Sequence, residues 1–194
     1  MISVAREKKF STEEIYLHTH ELLIKEGYEH FSFSLLAKSL QVSRAAIYKY
    51  YTNKDELMND YLICQMEQMM KDFNHTEWSL NYSEQFDQLF ELIFKYREIH
   101  LISNAIPHNK IKISPENQKR KEIISADVHG HFFKHIQQFI KTGKKNGQLK
   151  EELPDSLIVN MIFHSINIPD HSNLSLEEKA YFIKLIIKNG IFTI

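Results

Sequence analysis

The sequence predicts an all-α protein, a small N-terminal helix-turn-helix module joined to a larger helical bundle, and four observations carry the helical reading. Gly and Pro together make nine of 194 residues, under half their usual combined share of roughly 12%. The first 106 residues hold only Gly27 and no Pro, so helices can run there with few breaks. Two Ser-x-x-Glu capping boxes, Ser11 with Glu14 and Ser175 with Glu178, open apolar runs near the two ends of the chain. Between them Phe86, Leu89, Phe90, Ile93 and Phe94 recur at the spacing of one helical stripe.

Taken in order, Ser11 caps a first helix over roughly 12–26, whose Ile15, Thr19, Leu22 and Leu23 keep helical spacing until Gly27 stops the run. Ser32 caps a short second helix, 33–40, with Leu36, Ala37 and Leu40 on its inner face. Gln41, Val42 and Ser43 form a turn, and Ser43 caps a third helix of about 44–50. Asn53 followed by Glu56 opens a fourth, which carries Leu57, Tyr61 and Cys64 onward to Phe73. A polar break at 74–81 precedes the Phe86 stripe, and Pro107 ends the helical tract after it. Ser114 and Pro115 read as N-cap and first residue of a further helix, which contains Phe132, Phe133, Ile136, Phe139 and Ile140 and fails near Gly143 and Gly147. Helices over about 155–167 and 176–189 close the chain, about nine in all. The expected division is 1–55 for the module and 56–194 for the bundle.

The segment SFSLLAKSLQVSRAAIYKYY, residues 32–51, contains the parts of a helix-turn-helix. Such a motif needs a small residue where the helices cross, an apolar residue in the turn, and apolar residues on the inner side of the second helix. Ala37, Val42 and Ile47 supply these in order. The outer side is then Arg44, Ala45, Tyr48 and Lys49, with Ala45 short enough to let the backbone approach bases in a major groove. Formal net charge is −1, yet Phe31 to Lys54 holds Lys38, Arg44, Lys49 and Lys54 and no acid. A face cleared of carboxylates is what phosphate contacts require.

The stretch from GYEHFSFSLLAKSLQVS through AAIYKYYTNKDEL resembles the DNA-binding domain of the TetR family of bacterial transcriptional regulators. It includes the family's Tyr-x-aromatic-aromatic ending of the recognition helix and its polar-Lys-acid-acid-Leu opening of the fourth. The likeness is strong over residues 11–60; beyond them it extends to the helical plan, through GKKNGQLKEELPDSLIVNMI and the closing helix. The resemblance implies that Ser43, Arg44, Ala45 and Lys49 face bases or adjoining backbone, that Ser32, Tyr48, Tyr50 and Lys54 bind phosphates, and that Tyr51 is a core aromatic. Gln41 stands where the family usually has Gly, and a left-handed residue there costs about 1 kcal/mol relative to Gly.

The same resemblance implies a C-terminal domain that binds an inducer and dimerises through its last two helices. Leu157, Met161 and Ser165 on one helix, with Ile183, Ile186, Ile187 and Ile191 on the other, are the candidate seam; internal core is the competing reading. Met66, Met69, Met70, Phe73, Phe86, Phe90, Phe94 and Phe133, with Trp78 nearby, are candidates for lining an adaptable apolar pocket, although such a set also makes ordinary core. His131 and His135 have the i, i+4 spacing of a metal pair, but no Glu lies between them and no third ligand is identifiable, so neither metal nor cofactor is expected. The ten basic and three acidic residues of 108–150 read as a solvated face rather than a second anion contact. No Gly-rich phosphate loop, nucleophile elbow or paired acidic motif points to an enzyme.

A single cysteine, Cys64, suits a reducing cytosol, and the start MISVAREKKF lacks the apolar core of a signal peptide. No stretch nears the roughly 18 apolar residues of a membrane span. The expectation is thus a cytoplasmic homodimer that binds palindromic double-stranded DNA, most simply a repressor released by a small apolar or amphipathic effector. A TetR-like regulator or coactivator controlled by a partner protein is the alternative; a helical metal- or ligand-binding protein that does not bind DNA is a more distant one.

Overall fold

A computed structural model describes residues 10–106, 115–165, 168 and 173–193. Its helices are α1 (Thr12–His30), α2 (Phe33–Leu40), α3 (Arg44–Tyr48), α4 (Lys54–His75), α5 (Tyr82–Lys95), α6 (Arg97–Ala105), α7 (Pro115–Asp127), α8 (Phe133–Lys145), α9 (Asp155–Ser165) and α10 (Leu176–Ile191). The all-α expectation holds: among the described residues the only β pairing is an isolated bridge between Leu149 and Phe192. A π-helical turn, Val128–Phe132, joins α7 to α8 without leaving helical backbone, so the single helix expected from 115 onward is these three segments in succession. Ser114, Pro107 and the end of the helix expected to reach 167 lie outside the described residues.

The caps act where the sequence puts them. Ser11 Oγ accepts from the Glu14 amide at 3.2 Å while Glu14 Oε2 accepts from the Ser11 amide at 2.8 Å, and Ser175 and Glu178 repeat the arrangement at the same two distances. Gly27 breaks α1 with φ 77, and Tyr28–His30 add one more turn beyond it. Gln41 ends α2 with φ 58 and ψ 42, which makes it the one non-glycine residue with positive φ among those described. The backbone there is therefore left-handed despite the cost of a Cβ. α3 ends two residues earlier than expected, because the amides of Tyr50 and Tyr51 both turn back to the Ile47 carbonyl.

By packing, the chain divides into two units: the described residues up to Gln65 with those of Glu98–Lys121, and Met66–Arg97 with those from Glu122 onward. In the first, Ile15, Leu36, Ile47, Leu57 and Tyr61 are fully enclosed, and Ile102 of α6 and Ile106, just past its end, join the same core. In the second, Phe86, Leu89, Phe90 and Ile93 of α5, Ile136, Phe139 and Ile140 of α8, and Ile158 and Ile162 of α9 are all buried, and the Phe86 and Phe139 rings lie 6.3 Å apart. Tyr82 lies flat on Phe139 with ring centroids 4.2 Å apart and donates its hydroxyl to the Phe139 carbonyl at 2.8 Å. Gly143 leaves the space for that hydroxyl, since a Cβ there would stand 1.9 Å from it. Lys150 Nζ closes α10 by donating to the carbonyls of Asn189 and Gly190 at 3.3 and 2.9 Å.

Candidate nucleic-acid interface

The three helices of the motif are positioned by one inner face. Ala46 and Ile47 of α3 are buried against Leu36, Ala37 and Leu40 of α2, which turns Arg44, Ala45, Tyr48 and Lys49 outward, all four exposed. Ser43 caps α3, its hydroxyl accepting from the Ala46 amide at 3.2 Å, and Ser32 caps α2 by accepting from Leu35 at 3.3 Å. Arg44 Nη2 donates to the Tyr48 hydroxyl at 3.3 Å, with the guanidinium carbon 5.8 Å from the ring centre. Tyr48 in turn meets Phe33 edge-on at 5.1 Å.

Two of the expected phosphate ligands are held by the chain itself. Tyr50 donates to the Phe10 carbonyl at 3.0 Å and packs on the Phe10 ring at 4.9 Å, while one side of its ring stays exposed. Lys54, first residue of α4, donates to the Tyr28 carbonyl and lies 3.8 Å above the Tyr28 ring. Burial pushes its ammonium below the ordinary lysine value, against the pull of Glu29 and Asp55. Its i, i+26 partner leaves no local signature. Tyr51 is buried, as its resemblance to a core aromatic implied.

In the second unit six of the seven candidate seam residues, Leu157, Met161, Ser165, Ile183, Ile186 and Ile187, line one apolar groove of about 290 Å³ between α9 and α10. Ile191 is buried at the foot of α10. Leu157, Met161 and Ile186 are 48%, 46% and 66% exposed, while Ile183 and Ile187 form the groove's floor. Ser165 donates its hydroxyl to the Ile162 carbonyl at 2.7 Å, an arrangement that holds a helix end rather than activates a nucleophile.

Of the candidate pocket residues, Phe90 and Phe94 line a groove of about 350 Å³ rimmed by Lys95, Glu177, Tyr181 and Lys184. Met69, Met70, Phe73 and Phe86 are buried, and Met66 and Phe133 are half-buried. Phe73 belongs to an aromatic cluster with Phe132, Trp78 and His135, in which the His135 ring packs tilted on Trp78 with centroids 4.2 Å apart. Burial pushes the His135 imidazole below its ordinary value, and its Nε2 is enclosed with no hydrogen-bond partner among the described residues. The companion His131 is exposed, and its Nδ1 lies 3.2 Å from Asp127 Oδ1. Among the described residues no three His, Cys, Asp or Glu side chains are grouped to hold a metal ion. Several cations of 108–150 have carboxylate partners: Arg120 pairs with Asp60, and Lys144 with Asp155 at 2.6 Å.

Residues 15–61, which contain this surface, match the model of bacterial regulatory proteins of the tetR family. Over these residues the chain is similar to the TetR family. A helix-turn-helix transcriptional regulator of Haemophilus influenzae is 32% identical over 88 residues, which are 43% of this chain and 46% of that protein, so the chain's match spans under half of that relative's length. The regulator YhgD of Bacillus subtilis is 24% identical over 177 residues, covering 85% of this chain and 88% of YhgD. Among solved structures, a transcriptional regulator of Saccharomonospora viridis in complex with choline superposes with a TM-score of 0.61 at 14% identity, covering 94% of this chain and 98% of that one. At that identity the likeness is one of fold, and it extends over the C-terminal helices. No helix of the described residues is long and apolar enough to cross a membrane.

Proposed function

We propose that this chain is a regulator of the TetR family, a cytoplasmic, dimeric, sequence-specific DNA-binding repressor, released from DNA when a small apolar or amphipathic molecule binds its second unit. The observation that carries the reading is the outward face of α3, where Arg44, Ala45, Tyr48 and Lys49 stand exposed in a segment without a carboxylate from Phe31 to Lys54. In this reading Ser43, Arg44, Ala45 and Lys49 meet bases or adjoining backbone, and Ser32, Tyr48, Tyr50 and Lys54 meet phosphates. The positive dipole end of the 22-residue α4, where Asn53 Oδ1 accepts from the Glu56 amide at 2.9 Å, supports an anion beside Lys54. Lys54 reaches that anion by exchanging the Tyr28 carbonyl for a phosphate oxygen.

A second copy of the chain is the proposed cover for the α9–α10 groove. Its apolar rim, repeated about a two-fold axis, makes a four-helix seam in which each copy uses the same residues. Dimerisation also serves DNA binding, since two heads on adjacent half-sites bind far more tightly than one. For release, a ligand that lowers DNA affinity a hundredfold needs about 2.7 kcal/mol of preference for the unmatched arrangement of heads. The aromatic cluster around Phe73 supports a small effector, as does the choline held by the S. viridis regulator of the same fold. α4 is unbroken from Lys54 to His75 and carries Met66, Met69 and Phe73, so a ligand beside those residues acts on the helix that begins at the DNA face. A footprint of the purified chain on its own upstream DNA, repeated with fractionated metabolite extract, tests the reading. Protection of a palindrome, lifted by one fraction, is expected; protection lifted only by a protein fraction would put a partner protein in the ligand's place.

A further inference from the structure

Asp60, on α4, is the meeting point of four segments of the first unit. Its Oδ2 accepts from Tyr16 of α1 at 2.5 Å and from Tyr51 at 2.8 Å, and its Oδ1 accepts from Arg120 of α7 at 2.5 Å. The Tyr51 hydroxyl also lies 3.1 Å from that of Tyr16. Burial alone would favour the protonated acid, but the donors from Tyr16, Tyr51 and Arg120 outweigh it and hold Asp60 below its ordinary value of 3.8. Arg120 Nη1 donates in addition to Asn117 Oδ1 at 3.2 Å, one helical turn earlier, which sets the direction of the guanidinium.

Two features make this more than packing. The Tyr51 amide donates to the Ile47 carbonyl at 3.1 Å, so the ring that Asp60 holds is tied to the last turn of α3 and to its outward side chains. α7 is divided between the units, with Pro115–Lys121 in the first and Glu122–Asp127 in the second, and it runs on through the π-helical turn into α8. A partly buried ion pair is weak evidence for stability, because apolar side chains of similar volume often do as well; its best-attested use is to fix one arrangement against another. Here the arrangement fixed is that of α7 relative to the residue that closes the recognition helix.

We propose that Arg120 is a positioning residue for DNA reading: seated on Asp60, it holds Tyr51 and the outward face of α3, so that the placement of α7 and the affinity for DNA are coupled through this ion pair. The inference rests on the DNA-binding reading above. Coupling is reciprocal, so DNA on α3 must also restrain α7.

The test is amide hydrogen exchange of the full-length chain, with and without duplexes that the wild type has selected from a random pool. In the wild type DNA slows exchange within 115–127 by about fivefold or more, the low end of ordinary coupling. In Arg120→Met, at saturating DNA, that ratio falls to about one. A purely structural Arg120 gives a different result: the Met variant exchanges faster with and without DNA alike, and the wild-type ratio survives, which overturns the proposal. Tyr51→Phe deletes one oxygen from the network, leaves Arg120 on Asp60, and must also lower the ratio; it carries the test should the Met variant not fold. DNA bound by the wild type with α7 exchange unchanged overturns this inference alone, whereas no duplex retained by the wild type overturns the DNA reading and this inference with it.

Discussion

Gly143→Ala pits two effects of opposite sign against each other, and the structure decides between them. In an open helix the change stabilises by about 1 kcal/mol, because Ala loses less backbone freedom on folding than Gly. Gly143 lies inside α8, but a Cβ there would stand 1.9 Å from the Tyr82 hydroxyl, 2.4 Å from Cζ of the same ring and 2.8 Å from Leu149 Cγ. The ring must leave Phe139, losing a stacked pair of about 1 kcal/mol and a hydrogen bond of about 1 kcal/mol. Residual overpacking adds about 1 kcal/mol more. The expected net effect is destabilisation by about 2 kcal/mol. Trp78 is the chain's single tryptophan and packs in the second unit, so its fluorescence during urea unfolding reports that unit. The midpoint should fall with unchanged slope. In a Tyr82→Leu background, which lacks the clashing ring atoms, Gly143→Ala should cost at least about 1 kcal/mol less. A stabilised single mutant, or additive effects, would refute the packing described.

Asp60→Asn tests the polar hub in the first unit. Because the folded carboxyl titrates below its ordinary value of 3.8, its contribution to stability is fully present above that pH and is lost as pH falls through the folded value. The wild type should therefore melt above Asp60→Asn at pH 7, and the gap should close below about pH 4; a constant gap would contradict the ionised hub. Ile186→Asp addresses assembly, since Ile186 is 66% exposed within one chain whereas Ile187 is 2% exposed and would test folding instead. Sedimentation should show a wild-type dimer and a monomeric Ile186→Asp with unchanged helicity, and a monomeric wild type at micromolar concentration would remove the proposed seam. At Gln41, whose φ is 58, stability should rank Gly above Gln above Val. Relief of about 1 kcal/mol of left-handed strain, less about 0.5 kcal/mol of added unfolded-state entropy, leaves Gly roughly 0.5 kcal/mol ahead in urea unfolding followed by circular dichroism.

Sequence reading succeeded where the deciding physics is local. Ser11, Ser32, Ser43 and Ser175 lie within three residues of the amides they cap, and the buried Ala46 and Ile47 fix which side of a five-residue helix looks outward. It was silent where side chains meet across long stretches of chain. Ile102 and Ile106 enter the first unit's core from α6 and the residue after it, and Arg120 finds Asp60 sixty residues away; neither contact leaves a periodic trace. Lys54 is drawn onto Tyr28 because Gly27 at φ 77 lets α1 add a last turn, a consequence of backbone geometry that composition does not show. The π-helical turn at Val128–Phe132 looks like ordinary helix in its residues. The apolar residues of α9 and α10 were readable as a group, but their division into floor and exposed rim required coordinates.

The central claim is that α3 reads DNA, and the most direct measurement is the affinity of the wild type and Arg44→Ala for duplexes selected by the wild type, at several salt concentrations, beside scrambled duplexes of equal length. The account predicts selected palindromes with half-site centres about one helical turn apart, or a multiple of it. Arg44→Ala should lose roughly 1 to 3 kcal/mol per half-site on those palindromes and much less on scrambled DNA. Equal affinity of the wild type for selected and scrambled duplexes, or a folded Arg44→Ala that binds the palindrome as well as the wild type does, would contradict it.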